Sequence, residues 1–180
     1  KYQKNLATMN NDYLTINWLE TIAGCQIKKE KWHNDYVPNL RYDFSNRFVL
    51  QGDYSTELAT IDPNNIIGIS YFDSYAGLNW VQLLENLKYA TRYMRNIHSF
   101  DDLIEFVNGE NSISPFNYNK EGIYMLKLGD SYIVTGGQHR SCLAKFVSIK
   151  MTQVHVGHLY NISEKEVLDI INNKMLYNFK

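Results

Sequence analysis

The sequence has few of the features that mark secreted, membrane or nucleic-acid-coating proteins. Its 180 residues include only two cysteines, Cys25 and Cys142, whose spacing fits neither a disulfide framework nor a metal-binding knuckle. No stretch approaches the roughly 18 apolar residues of a membrane span, and the first residues lack the charged-then-apolar pattern of a signal peptide. The formal net charge of −1 gives no overall positive field that would attract nucleic acid. We therefore expect a cytoplasmic protein without a membrane partner.

Apolar residues are numerous enough to form one sizeable core. Hydrophobic residues make up 44% of the chain and aromatic residues 14%, a composition that predicts one domain with an added segment. We divide the chain into an N-terminal helical and irregular extension, residues 1–57, and a domain, residues 58–180. In the extension we expect a helix over 11–24 that ends at Gly24, and only one strand-like run, RFVL at 47–50.

Alternating helical and strand-like patterns predict a mixed α+β fold for the domain. The predicted elements are, in order, a strand in NIIGISYF (65–72), a long helix within 77–97, a short helix at 100–107 capped by Ser99, a hairpin in 123–136, a helix from 138 to about 148, a strand in QVHVGHLY (153–160) and a last helix opened by Ser163 and Glu166. We expect a small mixed sheet with flanking helices.

A pair of glycines, Gly136 and Gly137, stands between the hairpin and the next helix. The first turn of a helix has unpaired N–H groups and a positive dipole end, and glycine lets an anion approach the backbone closely. Arg140 adds a planar fork for two phosphate oxygens, His139 a hydrogen-bond donor and Ser141 a hydroxyl. This pattern favours a phosphate-binding turn. The alternative, a tight strand-to-helix turn without a ligand, is open at this point.

The run GIYMLKLGDSYIVTGGQHRSCLAKF (122–146) resembles the ParB and sulfiredoxin superfamily, whose hallmark is a strand pair followed by a Gly-x-x-Arg turn at the start of a helix. The resemblance covers about residues 99–160, with NIIGISYF as the superfamily's opening strand. It implies a ParB/sulfiredoxin-like α+β fold in which the helix near 77–97 is an insertion.

The turn departs from both well-marked versions of the superfamily motif. Sulfiredoxins read Gly-Gly-Cys-His-Arg, with the cysteine as nucleophile, whereas Gln138 stands at that position here. An amide has no thiolate chemistry, and we expect Cys142, one helical turn further on, to be buried and inert. ParB proteins read Gly-Glu-Arg-Arg and bind CTP, with a later Glu-Asn-x-x-Arg segment that this chain lacks. The resemblance therefore implies the fold and the anion-binding turn more than the reaction.

As a function, the resemblance implies a protein that binds a nucleoside triphosphate, ATP or CTP, with Mg²⁺, and that carries out hydrolysis or phosphotransfer. The phosphate-binding residues would be Gly136, Gly137, Gln138, His139, Arg140 and Ser141. His139 would orient a phosphate or protonate a leaving oxygen, and Asp73, just past the opening strand, would serve as general base or magnesium contact. Two alternatives stay open. One is a nucleic-acid-directed nuclease or DNA-binding protein. The other is a non-catalytic interaction module, because Gln138 stands where the sulfiredoxin motif has its nucleophile.

For the other candidate residues, structural or compositional interpretations are favoured over functional ones. His155 and His158 are three apart, so on a regular strand they point to opposite faces and make a poor metal pair. Asp101 and Asp102 at a helix start favour dipole compensation over catalysis. Tyrosines alternate with Lys and Arg in LKYATRYMRN (87–96), which suits base stacking. Near-zero net charge favours a compositional bias as the reason for these tyrosines.

Overall fold

Strands and helices are interleaved along the chain in the computed structural model, which describes residues 13–40, 56–70, 75–108, 122–158 and 163–177. Within these residues the strands are β1 (Glu57–Ile61), β2 (Ile66–Ile69), β3 (Ile123–Leu128), β4 (Ser131–Gly136) and β5 (Met151–His158). The α-helices in the same residues are α1 (Ile16–Ala23), α2 (Trp80–Glu85), α3 (Ala90–Asn96), α4 (Phe100–Asn108), α5 (Gln138–Val147) and α6 (Glu164–Tyr177). The predicted α+β class is confirmed.

The five described strands form one mixed sheet in the order β1-β5-β3-β4-β2. Strand β5 pairs antiparallel with β1 and parallel with β3, while β4 pairs antiparallel with β3 and parallel with β2. The predicted hairpin is β3–β4, and its turn uses Gly129 with a positive φ of 60°. Because β3 and β4 are neighbours near the centre of the sheet, the turn that ends β4 lies beside β3.

Both faces of the sheet are covered. Alternate residues of β3 enter different apolar clusters: Met125 belongs to the larger one, with side chains from α1 to α5, and Leu126 to the smaller one. The smaller cluster also contains Val167 and Ile171 of α6. Helices therefore pack on both sides, and α5 lies on the face with the larger core.

The described part of the predicted N-terminal extension packs against the domain. Leu14, Leu19 and Val37 are buried in the same cluster as the sheet, and the Leu40 N–H donates to the Ile69 carbonyl on the edge of β2 (2.8 Å). The division at residue 57 stays a prediction. Sequence reasoning missed β1, because residues 57–61 have no alternation of apolar and polar side chains, and the predicted run at 47–50 lies outside the described residues.

The prediction of one long helix within 77–97 is wrong, because two short helices, α2 and α3, occupy this segment. Tyr89, the residue before α3, is in the left-handed region with φ 67° and interrupts the helical path. The apolar periodicity persists across the break because both helices bury residues against the same core, among them Leu83, Leu84 and Tyr93. Residues 77–97, the predicted insertion, therefore contain a bent helical pair, and we keep the name insertion for this segment.

Three predicted caps agree with the structure, whereas the first helix, predicted over 11–24, begins only at Ile16. Gly24 ends α1 in the left-handed conformation (φ 67°). The Ser99 hydroxyl accepts from the Asp102 N–H (3.1 Å), and Ser163 and Glu166 form the expected reciprocal cap at the start of α6. No helix among the described residues has the length and apolar character needed to cross a membrane.

Candidate functional site

The glycine pair has a structural requirement of its own. Gly137 precedes α5 with φ 83°, a conformation that other residues adopt only with strain. A Cβ atom on Gly137 would lie 3.1 Å from a side-chain carbon of Ile123 and 3.3 Å from its Cα. A Cβ atom on Gly136 would lie 3.2 Å from the ring of Tyr124. The pair therefore fits a tight turn against β3 whether or not a ligand binds there.

The first turn of α5 lacks a side-chain cap. No side chain at the cap position accepts a hydrogen bond, since that residue is Gly137, and α5 begins without an acidic residue in its first turn. A helix start without these groups keeps its positive dipole end uncompensated by its own side chains. This arrangement is suited to an anion supplied from outside the helix.

Gln138, the first residue of α5, contains an unpaired buried donor. Its side chain is 4% exposed, and its Nε2 atom has no hydrogen-bond partner among the described residues. A buried polar group without a partner costs about 1 to 3 kcal/mol. In the part of the chain that the structure describes, only the His33 Nε2 atom shares this condition. Gln138 therefore leaves a donor unused directly after the glycine turn.

His139 is held between two tyrosines. Its Nε2 atom lies 3.1 Å from the Tyr75 hydroxyl, and its Nδ1 atom contacts the Tyr93 hydroxyl at short range. Burial lowers the pKa of His139 to about 4, and the Lys88 charge adds to the shift. The imidazole is therefore neutral at pH 7, with one nitrogen donating to a tyrosine and the other accepting. Through these bonds the insertion is fixed to the glycine turn.

Positive charges surround this histidine–tyrosine group. Burial raises the pKa of Tyr93, and the cations of Arg140 and Arg92 act in the opposite direction. Lys88 is near enough to His139 to lower its pKa. The neighbouring tyrosines Tyr75 and Tyr89 raise the pKa of Tyr93 further, so both kinds of influence meet at this hydroxyl. The predicted phosphate clamp, Arg140, therefore belongs to a basic cluster to which the insertion contributes two side chains.

Ser141 and Cys142 are both buried. The Ser141 hydroxyl donates to the Gly137 carbonyl (3.0 Å) inside the helix, and its side chain is 2% exposed. Cys142 is buried, as the sequence predicted, and burial raises the pKa of its thiol. Ser141 therefore supports the turn geometry through the backbone, and Cys142 has no thiolate at neutral pH.

The remaining predicted residues fall elsewhere or outside the description. Asp73 lies in 71–74, outside the described residues. His155 stacks on Tyr124 with ring centroids 4.9 Å apart, and His158 lies 3.8 Å from the Glu57 carboxylate. No group of three or more metal-ligating side chains occurs among the described residues. The structure thus brings together the turn residues but not these two histidines as a site.

Sequence reasoning missed the tyrosines that complete the site. Tyr75, Tyr89 and Tyr93 all have rings within 6.4 Å of the His139 ring, measured between centroids. The signal was present in the alternation of tyrosine with basic residues at 87–96. The near-zero net charge favoured a compositional interpretation, and the sequence does not show that residues 87–96 fold back onto the glycine turn.

Comparison of the chain with protein-family models, with curated proteins and with solved structures gave no match.

Proposed function

We propose that the turn at Gly136 and Gly137 binds the phosphates of a nucleotide, and that the protein acts on a nucleoside triphosphate by hydrolysis or phosphotransfer. The proposal includes a ParB/sulfiredoxin-like arrangement of the mixed sheet and its flanking helices. It is supported by the sequence resemblance, the uncapped start of α5 and the basic cluster beside it. ATP and CTP are the nucleotides that the resemblance favours.

The observation that carries the proposal is the unpaired Nε2 atom of Gln138. A tight turn without a ligand explains both glycines, but it does not explain a buried amide donor left without a partner at the same place. A phosphate oxygen at the start of α5 would accept a hydrogen bond from this donor and from the helix N–H groups. The donor therefore favours a bound anion over an empty turn.

With a phosphate bound, each residue of the turn has a distinct role. Arg140 binds two phosphate oxygens through its planar guanidinium. His139 is neutral and has tyrosine partners on both ring nitrogens, so its geometry favours positioning of the turn over proton donation to a leaving oxygen. Ser141 stabilises the Gly137 carbonyl, and the glycines give the phosphate access to the backbone.

Magnesium is the cofactor implied by the resemblance. In nucleotide sites Mg²⁺ takes most of its ligands from phosphate oxygens and water, with one or two carboxylates. Within the described residues no carboxylate is placed at the turn by a contact, and Asp73, the predicted ligand, lies outside them. The residues described therefore fit a metal that arrives with the nucleotide, and we assign no step of the reaction to it.

Calorimetry with ATP, CTP and GTP, each with and without Mg²⁺, tests the proposal. Arg140→Ala should weaken binding by about 1.5 to 3 kcal/mol, the scale of a hydrogen bond to a charged group. Arg140→Lys should restore only part of this loss, because an ammonium lacks the planar fork. If no nucleotide binds, or if Arg140→Ala leaves the dissociation constant unchanged, the turn is not a nucleotide site and the interaction-module alternative gains support.

Salt dependence separates the nucleotide from the nucleic-acid alternative. A protein that binds several backbone phosphates loses affinity steeply as salt rises, in proportion to the number of contacts, whereas a one-nucleotide pocket responds far less. The measurement is a titration with single-stranded and duplex DNA at several salt concentrations. Tight, salt-sensitive binding of plain DNA would replace nucleotide chemistry with a nuclease or DNA-binding function.

A further inference from the structure

We propose that Tyr89 is the stacking surface for the base of the nucleotide held at the glycine turn. The inference depends on the proposed function, because the base position is defined only once a phosphate is bound at α5. It assigns the helical insertion a role in recognition.

Tyr89 is the more exposed of two aromatic side chains beside the site; the other, Tyr124, is 43% exposed and has its ring stacked on His155. The Tyr89 side chain is 62% exposed, and its ring centroid lies 6.3 Å from that of His139, the second residue of α5. Tyr75 and Tyr93 are buried and have their hydroxyls bonded to His139. The base and the first phosphate of a nucleotide are separated by a single ribose, so a ring this close to the turn is within reach of the base.

The backbone at Tyr89 is strained in a way that packing does not explain. With φ 67° and ψ 22°, Tyr89 is one of two non-glycine residues with positive φ among those described. Left-handed backbone in residues other than glycine is uncommon and occurs often at binding sites, where the surrounding structure holds it in place. Because the ring is exposed, its packing contributes little free energy to offset this strain. A role in ligand binding accounts for the left-handed backbone at Tyr89.

Neighbouring contacts hold Tyr89 in position. The Lys88 N–H donates to the Tyr75 hydroxyl (3.3 Å), which also contacts His139. On the other side, the Arg92 guanidinium lies 6.0 Å from the Tyr89 ring centroid. The backbone before Tyr89 is therefore anchored. The cations near the ring suit a nucleotide, because it carries both an aromatic base and negative phosphates.

The test compares two ligands, a nucleotide and inorganic tripolyphosphate, on the wild-type protein and on Tyr89 variants. The nucleotide is the one of ATP, CTP and GTP that binds the wild type most tightly. Tyr89→Ala should weaken nucleotide binding by about 5- to 150-fold, the range that base–aromatic stacking supplies. Tripolyphosphate affinity should stay within about two-fold, because this ligand has no base. Arg140→Ala should weaken both ligands.

Two further variants separate stacking from folding. Tyr89→Phe keeps the ring and should bind the nucleotide within about three-fold of the wild type. Tyr89→Gly removes both the ring and the strain, so it should raise the melting temperature and still lose nucleotide affinity.

Any other outcome contradicts the inference, and each one shows whether the base platform alone fails or the phosphate site fails as well. Unchanged nucleotide affinity in Tyr89→Ala, or equal losses for nucleotide and tripolyphosphate, excludes a base platform at Tyr89 and leaves the phosphate site intact. If the wild type binds tripolyphosphate as tightly as the nucleotide, the base makes no contact and the inference fails by itself. If the wild type binds neither ligand, the proposed function fails as well.

Discussion

Two groups of cations and aromatic rings lie at opposite ends of α5, one closed and one open. Near the end of the helix, the Lys145 ammonium lies 4.5 Å from the ring centroid of Trp32 and 5.0 Å from that of Trp80, and it is 4% exposed. At the start of the helix, Arg92 lies 6.0 Å from the exposed ring of Tyr89. Both groups pair a cation with aromatic rings, but in the first the cation is buried and in the second the ring is largely exposed.

The cation of the closed group has protein partners for its donors, although the neighbouring His33, whose ring centroid lies 4.3 Å from that of Trp32, keeps a buried Nε2 atom without a partner among the described residues. The three donors of the Lys145 ammonium are matched by the carbonyls of Pro63, Asn64 and Ile66, at 3.4, 3.3 and 3.0 Å. Burial lowers the pKa of Lys145 to about 8, against the raising effects of Cys142 and Asp62. At pH 7 the ammonium is still largely charged, so the carbonyls and indoles offset its desolvation. We interpret this group as a structural clamp between α5 and the segment before β2.

The open group has the opposite character. The Nε2 donor of Gln138 has no partner in the part of the chain that the structure describes, and Tyr89 combines a left-handed backbone with an exposed ring. A complete polar group contributes to stability, whereas an incomplete one costs stability unless a ligand completes it. The comparison therefore predicts that changes at the closed end alter folding and that changes at the open end alter binding.

The largest expected effect is at Lys145. Lys145→Ala should lower the free energy of unfolding by about 3 kcal/mol, because it opens space between two indoles and leaves three carbonyls without their donor. Denaturant unfolding measures the change. Arg92→Ala is the matched control, since it removes the cation of the open group, and it should cost less than about 1 kcal/mol. Equal losses in the two variants would remove the distinction between the two ends.

A smaller effect is expected from protonation of His139. Its pKa is about 4 in the folded protein, below the ordinary value of 6.5, so the unfolded chain binds this proton first as pH falls. Stability from this group is complete above pH 6.5 and is lost between pH 6.5 and 4. The full shift corresponds to about 3 kcal/mol, and partial exposure of the ring reduces our expectation to about 2 kcal/mol.

The measurement is the free energy of unfolding between pH 7 and 4 for the wild type and for His139→Gln. Burial also lowers the pKa of His33, which gives a change of the same sign, so the difference between the two proteins isolates His139. The variant should have a shallower pH dependence. Identical curves would show that the two tyrosines do not hold a neutral imidazole, and the link between insertion and turn would have to be reconsidered.

The sequence predicted the elements whose signals are local. Caps at Gly24, Ser99 and Ser163, the β3–β4 hairpin and the start of α5 all depend on a few neighbouring residues, and all were predicted. Strand β1 was missed because only its pairing with β5, nearly a hundred residues away in sequence, stabilises it. The break at Tyr89 was missed because a tyrosine gives no sequence signal of left-handed backbone.

The candidate site was predicted in part for the same reason. The residues from Gly136 to Ser141 are contiguous, so their common position at the start of a helix follows from the local pattern. The tyrosines around His139 come from a distant part of the chain: Tyr89 and Tyr93 lie in the predicted insertion, and Tyr75 lies just before it. Only the tertiary fold shows that His139 has tyrosine partners on both nitrogens, which favours the first of its two predicted roles, orientation, over protonation of a leaving oxygen.

Cys142 lies between the two ends of α5 and should have the smallest effect on function. Cys142→Ala should lower stability by about 1 kcal/mol through the small space it opens, and nucleotide affinity should stay within about two-fold. The thiol is 1% exposed and its pKa is raised by burial, so it cannot act as a nucleophile at neutral pH. It also lies one helical turn, about 5 to 6 Å, beyond Gln138. Calorimetry measures the affinity and circular dichroism the folding. Lost activity with intact folding would show that Cys142 is a nucleophile after all.

In Gln138→Cys, a gain of ATP-dependent sulfinate reduction would support the alignment of this turn with the sulfiredoxin motif.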